Sequence, residues 1–369
     1  MLSSSQDAAS LVRGSAALYN ATRNPTIGGN VKALVYRGQR MMVEDVPEPE
    51  PGPGEALLKV RYCGICGSDV HLLSRGIFFL GAIPGHEVSA EVVALGPGVS
   101  GWQPGDLVAT AGGGKCGQCE YCRAGKPHLC QQPKEGFGLG RRPGGYSQWL
   151  VADQETLLRV PPHLDPAHAA LTEPLAVALH AVELSEVEAG QGVLVTGAGP
   201  IGLLVVEVLK SRGAKPIIVS EPAAGRRAVA ARLGVDRVVD PTTEDLAEVV
   251  RASMGRGPHV VMESSGAAAA AQAGFGLLRP AGVLVAVGSS EASYSFSSLL
   301  LMARELRVQG SYGSGGRMPA ALDMLAAGKI QAADIITRVI SLAEGDACMR
   351  ELSDSPADGK VLIDPWLPL

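Results

Sequence analysis

Four cysteines stand within fifteen residues as Cys116-x-x-Cys119-x-x-Cys122-x7-Cys130, in a chain of 369 residues that holds only seven. Four thiolates at that spacing close a tetrahedral shell around zinc, at S–metal distances of about 2.3 Å, and leave no position for a substrate. The pattern predicts a structural ion; an iron–sulfur cluster is the chief competitor, since four cysteines also satisfy it. Gly112-Gly113-Gly114, Gly117 and Gly125 suit a loop wound tightly about that ion. A second set begins in Cys63-Gly64-Ile65-Cys66-Gly67-Ser68-Asp69-Val70-His71 and continues twenty residues after Cys66, at Gly85-His86-Glu87. Cysteine, histidine and a carboxylate supply three protein ligands and leave one position open, which is what a catalytic zinc requires. Cys63-x-x-Cys66 also has the spacing of a redox dithiol, but Cys63 is better read as a core residue at a strand end.

A third constellation is Val193-Leu194-Val195-Thr196-Gly197-Ala198-Gly199-Pro200-Ile201-Gly202: strand, glycine turn, helix. Gly197 permits the tight turn and Gly199 lets the backbone approach a pyrophosphate. Gly202 allows close packing of helix on strand, and the helix N-terminus at Pro200 and Ile201 favours the phosphate charge. The next strand ends at Glu221, nineteen residues after Gly202. A carboxylate there accepts hydrogen bonds from both ribose hydroxyls and repels a 2′-phosphate, which favours NAD over NADP. Arg226 and Arg227 follow closely, and either one reaching the 2′ position would admit NADP.

These residues need elements to hold them. Val31–Tyr36, Ala56–Tyr62, His86–Leu95 and Asp106–Ala109 read as short strands, with the acidic, Pro-rich stretch Glu44–Gly54 as a loop. Ala169–Leu184 has helical spacing, and Val193–Thr196 and the helix from Ile201 to Ser211 follow. Strand candidates recur at Pro216–Ser220, Val238–Val239, Val260–Glu263, Val283–Val287 and Leu306–Gly310, with helical stretches between most of them. Alternation of that kind implies a parallel, doubly wound sheet. Ala267–Ala271 reads as the start of one of those helices. A helix around Pro319–Ala327 and strands at Arg338–Ser341 and Val361–Ile363 close the chain.

Composition narrows the class. Hydrophobic residues make up 46% and charged residues 19%, an ordinary balance for a globular protein, and the length allows two cores. A net charge of −5 leaves no basic footprint for nucleic acid, and no long uncharged apolar run predicts a membrane span. Clustered cysteines in an odd number suit metal binding in a reducing compartment, hence a cytoplasmic location. Residues 1–30, rich in Ser and Ala with Arg13 and Arg23, read as a disordered extension rather than a secretory signal.

Taken together, Gly64-Ile65-Cys66-Gly67-Ser68-Asp69, Pro84-Gly85-His86-Glu87, the four-cysteine lobe, Thr172-Glu173-Pro174-Leu175 and the turn at Gly197 resemble the zinc-containing medium-chain dehydrogenases, the alcohol, polyol and threonine dehydrogenase family. The resemblance spans about residues 31–365. It implies an α/β fold: a doubly wound Rossmann cofactor domain at 177–313 and a mostly-β GroES-like catalytic domain made of 31–176 and 314–369. It also implies two zinc ions, a structural one on Cys116, Cys119, Cys122 and Cys130 and a catalytic one on Cys66 and His86. Glu173, in a Glu-Pro-Leu run like that of the polyol and threonine branch, is the expected third ligand in the resting state, with Glu87 alternating or supporting. Ser68 is implied as the hydroxyl that hydrogen-bonds the alcohol and His71 as the end of a proton relay, with Asp69 orienting His86 or nearby backbone. His163, His168, His180 and His259 have no partner pattern and read as structural.

The implied reaction is oxidation of a secondary alcohol or polyol to a ketone, reversibly, with hydride passed to NAD. Ile77-Phe78-Phe79-Leu80 falls where a substrate pocket wall is expected, and would equally pack on a neighbouring subunit. Two other readings share parts of the pattern: a zinc-free NADPH-dependent enoyl or quinone reductase of the same fold, and a zinc-ribbon binding protein. Cys66 and His86 argue against the first, and the glycine turn against the second. A homodimer or homotetramer is the family expectation, joined along a sheet edge at Ser290–Ser298.

Overall fold

The computed structural model describes residues 29–289, 293–355 and 357–369. Nearly all of the expected N-terminal extension, and the first residues of the Ser290–Ser298 edge, lie outside the described residues. From the N-terminus the strands are β1 (Asn30–Tyr36), β2 (Met41–Pro47), β3 (Glu55–Gly64), β4 (Glu87–Leu95), β5 (Leu107–Ala111), β6 (Trp149–Asp153) and β7 (Leu157–Arg159). There follow β8 (Val193–Thr196), β9 (Ile217–Ser220), β10 (Arg237–Val239), β11 (Val260–Glu263), β12 (Val283–Ala286) and β13 (Arg307–Gly310), then β14 (Ile336–Ile340) and β15 (Lys360–Ile363).

The middle strands form one parallel sheet in the order β10-β9-β8-β11-β12-β13. Every residue of β8, β9 and β11 is buried, as expected of strands covered on both faces. Helices Pro200–Ser211, Ala224–Arg232, Leu246–Met254 and Ala268–Leu277 make the crossovers. Strand order reverses between β8 and β11, so a crevice opens at their C-terminal ends, where the glycine turn lies. The doubly wound α/β reading holds.

The remaining strands build a mixed sheet, β14-β15-β3-β4-β5-β7, with β6 also pairing with β3 and with β1–β2 as a separate ribbon. β15 returns from the far end of the chain to pair antiparallel with β3 at Cys63 and Gly64. Its core gathers Leu58, Val60, Cys63, Val88, Val92, Tyr146 and Ile363. Helix Thr172–Ser185 is buried along most of its length and touches β4 and β5 of this sheet and β11 and β12 of the other. Its first turn therefore stands at the junction of the two sheets.

Two sequence expectations are corrected. Glu44–Pro47 is not loop but the end of β2, paired residue for residue with β1. A two-stranded ribbon with one face in water tolerates the acidic side chains that made it look irregular. The expected sheet edge at Ser290–Ser298 is not a strand where it is described: residues 293–297 form none, and Ser298 begins the helix Ser298–Ala303. A short helix, Gly67–Arg75, follows Cys66 and is closed by Gly76 at φ +65°. Among the described residues no helix is long and apolar enough to cross a membrane.

Candidate active site

β3 ends at Gly64, and Cys66 is the residue from which helix Gly67–Arg75 starts. Asp69, one turn in, is fully buried and folds back, its Oδ2 accepting from the Cys66 N–H at 3.2 Å and from the Tyr146 hydroxyl at 2.6 Å. The thiol is thereby held at the N-terminus of that helix. Asp69 Oδ1 stands 3.7 Å from His86 Nδ1, so the acid faces His86 without reaching hydrogen-bond distance. His86 and Glu87 come from the start of β4, paired with β3 at Gly64–Glu87. Gly85, at φ +99°, turns the chain there under the Tyr146 ring, which would lie 2.6 Å from any side chain at that position. Only glycine fits.

One ligand atom each from Cys66, His86 and Glu87 lie within 4.8 Å of one another. Glu173, at the first turn of helix Thr172–Ser185, is outside that group but close enough to act on it. Burial, and then Glu87, push the Glu173 carboxyl up to about 7 against the pull of His86 and Lys360. Burial lowers the His86 imidazolium, yet Asp69, Cys66 and Glu173 outweigh it and hold it well above its ordinary value. Ser68 Oγ is buried without a hydrogen-bond partner, and His86 Nδ1 and Asp69 Oδ1 have only each other, at 3.7 Å. Acids crowded around a thiol and an imidazole, with polar atoms unpaired, are what a divalent cation satisfies. The donor set fits zinc.

Lys360, at the start of β15, is a site residue that the sequence did not announce. It is almost fully buried, forms an ion pair with Glu87 and donates to the Ile65 carbonyl at 2.9 Å. Burial lowers its pKa, but Glu87 and Cys66 more than compensate and raise it. The available signal was a single charge in the buried-type run Lys360-Val361-Leu362-Ile363. Tyr146, equally buried, is a second residue of this kind. Ser68 and His71 lie one turn apart on helix Gly67–Arg75, hence on one face. Cys63 is fully buried in the core, as its strand-end reading expects. Ile77, Phe79 and Leu80 are exposed, while Phe78 packs on Tyr36.

In the four-cysteine lobe Cys119 starts the short helix Glu120–Arg123, which carries Cys122, and a turn at Pro127–Leu129 brings in Cys130. All four sulfurs lie within 4.8 Å of one another, with Cys116–Cys122 and Cys119–Cys130 each at 3.9 Å. A tetrahedron with metal–sulfur bonds of about 2.3 Å has edges of about 3.8 Å. The lobe fits one ion rather than a cluster of several irons. Backbone N–H groups of Gln131 and Cys122 draw the Cys119 thiol down to about 6, while burial and the bond to Cys119 push Cys122 up to about 12.

At the crevice of the parallel sheet, Gly197 has φ +90° and Gly199 caps the helix that Pro200 and Ile201 begin. A side chain at Gly202 would stand 2.0 Å from the Gly197 carbonyl oxygen. Glu221 is buried, its carboxylate accepting from the Ala198 N–H at 2.7 Å and the Ala223 N–H at 2.8 Å. It thus bridges the glycine turn and the end of β9. The Arg226 guanidinium lies beside Gly199, and its Nε donates to the Asp358 carbonyl at 3.0 Å. Arg227 is instead tied to Asp240 at 2.9 Å.

Residues 52–162 match the alcohol dehydrogenase GroES-like domain family and residues 200–327 the zinc-binding dehydrogenase family. A sorbitol dehydrogenase of Halalkalibacterium halodurans is 36% identical over 350 residues, 91% of this chain and 99% of the relative. Among solved structures, a Sinorhizobium meliloti 1021 protein described as a zinc-binding dehydrogenase and bound to NADP is 33% identical, with a TM-score of 0.84 over 91% of this chain and 99% of its own. The 2R,3R-butanediol dehydrogenase of Bacillus subtilis is 30% identical, with a TM-score of 0.83 over the same shares.

Proposed function

The chain belongs to the GroES-like, zinc-binding alcohol dehydrogenase family, and from that premise we propose that it oxidises a secondary alcohol or polyol to the ketone with NAD, reversibly, holding two zinc ions. The observation that carries this is the approach of Cys66, His86 and Glu87 within 4.8 Å beside the unpartnered Ser68 hydroxyl. Cys66 and His86 hold the catalytic ion, with Glu87 or Glu173 as third ligand; Cys116, Cys119, Cys122 and Cys130 hold the structural one. When bound, zinc supplies a Lewis acid for the substrate oxygen and NAD the hydride acceptor. With Nδ1 turned to Asp69, His86 keeps Nε2 for the metal. Ser68 Oγ accepts the hydrogen bond of the substrate hydroxyl and passes the proton toward His71, one turn along the same helix. Helix Thr172–Ser185 closes the junction between the sheets against water.

We assign residues 31–176 and 314–369 to the catalytic domain and 177–313 to the cofactor domain. Glu221 just after β9 supports NAD; NADP, which the Sinorhizobium protein holds, is the alternative, and turnover with each cofactor in turn decides between them. Sorbitol and butanediol in the relatives' names support a substrate carrying neighbouring hydroxyls. Seven free thiols suit a reducing compartment such as the cytoplasm. The exposed edge strand β13, with exposed Leu299 and Met302 beside it, supports assembly of two or four copies along that edge.

Metal content per chain on protein purified without added metal, followed by an NAD-linked screen of secondary alcohols and polyols, tests the reading. Two zinc ions and turnover are expected. Cys66→Ala or His86→Ala should abolish turnover and leave the lobe's ion in place; full activity in either variant sinks the assignment.

A further inference from the structure

Glu263, the last residue of β11, is fully buried, and its carboxylate carries four hydrogen-bond donors. Oε1 accepts from the Ser265 N–H at 2.8 Å, the Gly266 N–H at 3.0 Å and the Ser265 hydroxyl at 2.5 Å. Oε2 accepts from the Tyr294 hydroxyl at 2.8 Å. The Glu263 main-chain carbonyl in turn accepts from the Val287 and Gly288 N–H groups. Gly288 is packed so closely that a side chain there would stand 2.2 Å from the Gly266 nitrogen and 2.9 Å from Glu263 Oε2. Burial, then the bond to Glu263, raise the Tyr294 phenol above its ordinary pKa. One residue therefore ties together the turn after β11, the end of β12 and the segment at Tyr294.

A turn needs no buried carboxylate for its own sake, since serine or backbone groups close turns without the cost of burying a charge. The location suggests another use. Glu221 follows β9, on one side of β8; Glu263 ends β11, on the other. A dinucleotide with its pyrophosphate on the turn after β8 and its adenosine ribose at Glu221 must run its other half over the ends of β11 and β12.

We propose that Glu263 is a positioning residue for the nicotinamide ring: through Ser265, Gly266 and Tyr294 it holds the three segments that wall that end of the crevice. This rests on the dinucleotide reading above. The test uses zinc-loaded, full-length enzyme and calorimetry with NAD and with ADP-ribose, which lacks only the nicotinamide ring; if the wild type prefers the phosphorylated cofactor, NADP and 2′-phospho-ADP-ribose replace them. Tyr294→Phe deletes one donor and leaves three on Glu263. It should weaken NAD about 3- to 10-fold while ADP-ribose stays within about twofold, since a hydrogen bond to a charged group is lost only at the ring's wall. Glu263→Gln should show the same split, enlarged; should it fail to fold, Tyr294→Phe decides alone. Equal losses for both ligands, or no loss for either, overturn the proposal. A wild type that binds neither ligand refutes the dinucleotide reading itself, and the proposal with it.

Discussion

Gly202→Ala is the smallest change that separates the glycine turn as cofactor site from the glycine turn as mere connection. The added methyl would stand 2.0 Å from the Gly197 carbonyl oxygen and 2.7 Å from Ser264 Oγ. Non-bonded atoms settle at roughly 3.5 Å, so helix Pro200–Ser211 must withdraw from the turn by on the order of 1 Å. It has little room, because Leu203 to Leu209 are all buried. Overpacking of this kind costs about 1–3 kcal/mol of stability. The shift also moves the helix N-terminus away from the pyrophosphate, and NAD affinity should fall about ten- to a hundredfold, or roughly 1.4–2.7 kcal/mol. Gly276→Ala is the matched control: it sits in helix Ala268–Leu277 with nothing within 4 Å of the new methyl. That variant should gain up to about 1 kcal/mol and bind NAD unchanged. Denaturant unfolding and calorimetry read both effects. Wild-type NAD affinity in Gly202→Ala, whatever its stability, would show that the turn does not hold the cofactor.

Three further perturbations have signs set by the structure. Cys130→Ser should cost one zinc per chain and lower the melting temperature, whereas Cys66→Ala should cost the other ion with little change in melting; atomic absorption beside thermal melts separates them, and an unchanged ion count in Cys130→Ser refutes the lobe assignment. Lys360→Met leaves the buried Glu87 carboxylate unpaired and should cost about 3–5 kcal/mol, most of it recovered in Lys360→Met/Glu87→Gln. A double variant as unstable as the sum of the singles, by denaturant unfolding, contradicts that pairing. Met302→Lys with Val308→Lys places charge on the exposed edge around β13 and should shift the protein to smaller species by light scattering; an unchanged mass moves the interface elsewhere.

What could be read from the chain divides along a physical line. The four-cysteine cluster and the glycine turn were legible because local spacing does their work: four thiols within fifteen residues, or a turn in which Gly197 needs a positive φ and Gly202 has no room for a side chain. The parallel strands were legible because burial on both faces demands unbroken apolar runs such as Val193–Thr196. Helix Gly67–Arg75 escaped because it is nine residues long and turns only Asp69 and Leu73 fully inward, too few to display a helical period. Lys360 and Glu263 escaped for a different reason. A charge in a strand argues for exposure until its partner is known, and the groups Lys360 meets, Ile65 and Glu87, lie nearly three hundred residues away. Glu263 likewise gains its meaning only when β12 and Tyr294 close over it. Buried charges are costly unless every lone pair and proton finds a partner, so the fold must supply those partners from distant segments. The residues hardest to find in this sequence are therefore those that bind separate segments to one another, around the Cys66–His86–Glu87 group and the crevice of the parallel sheet.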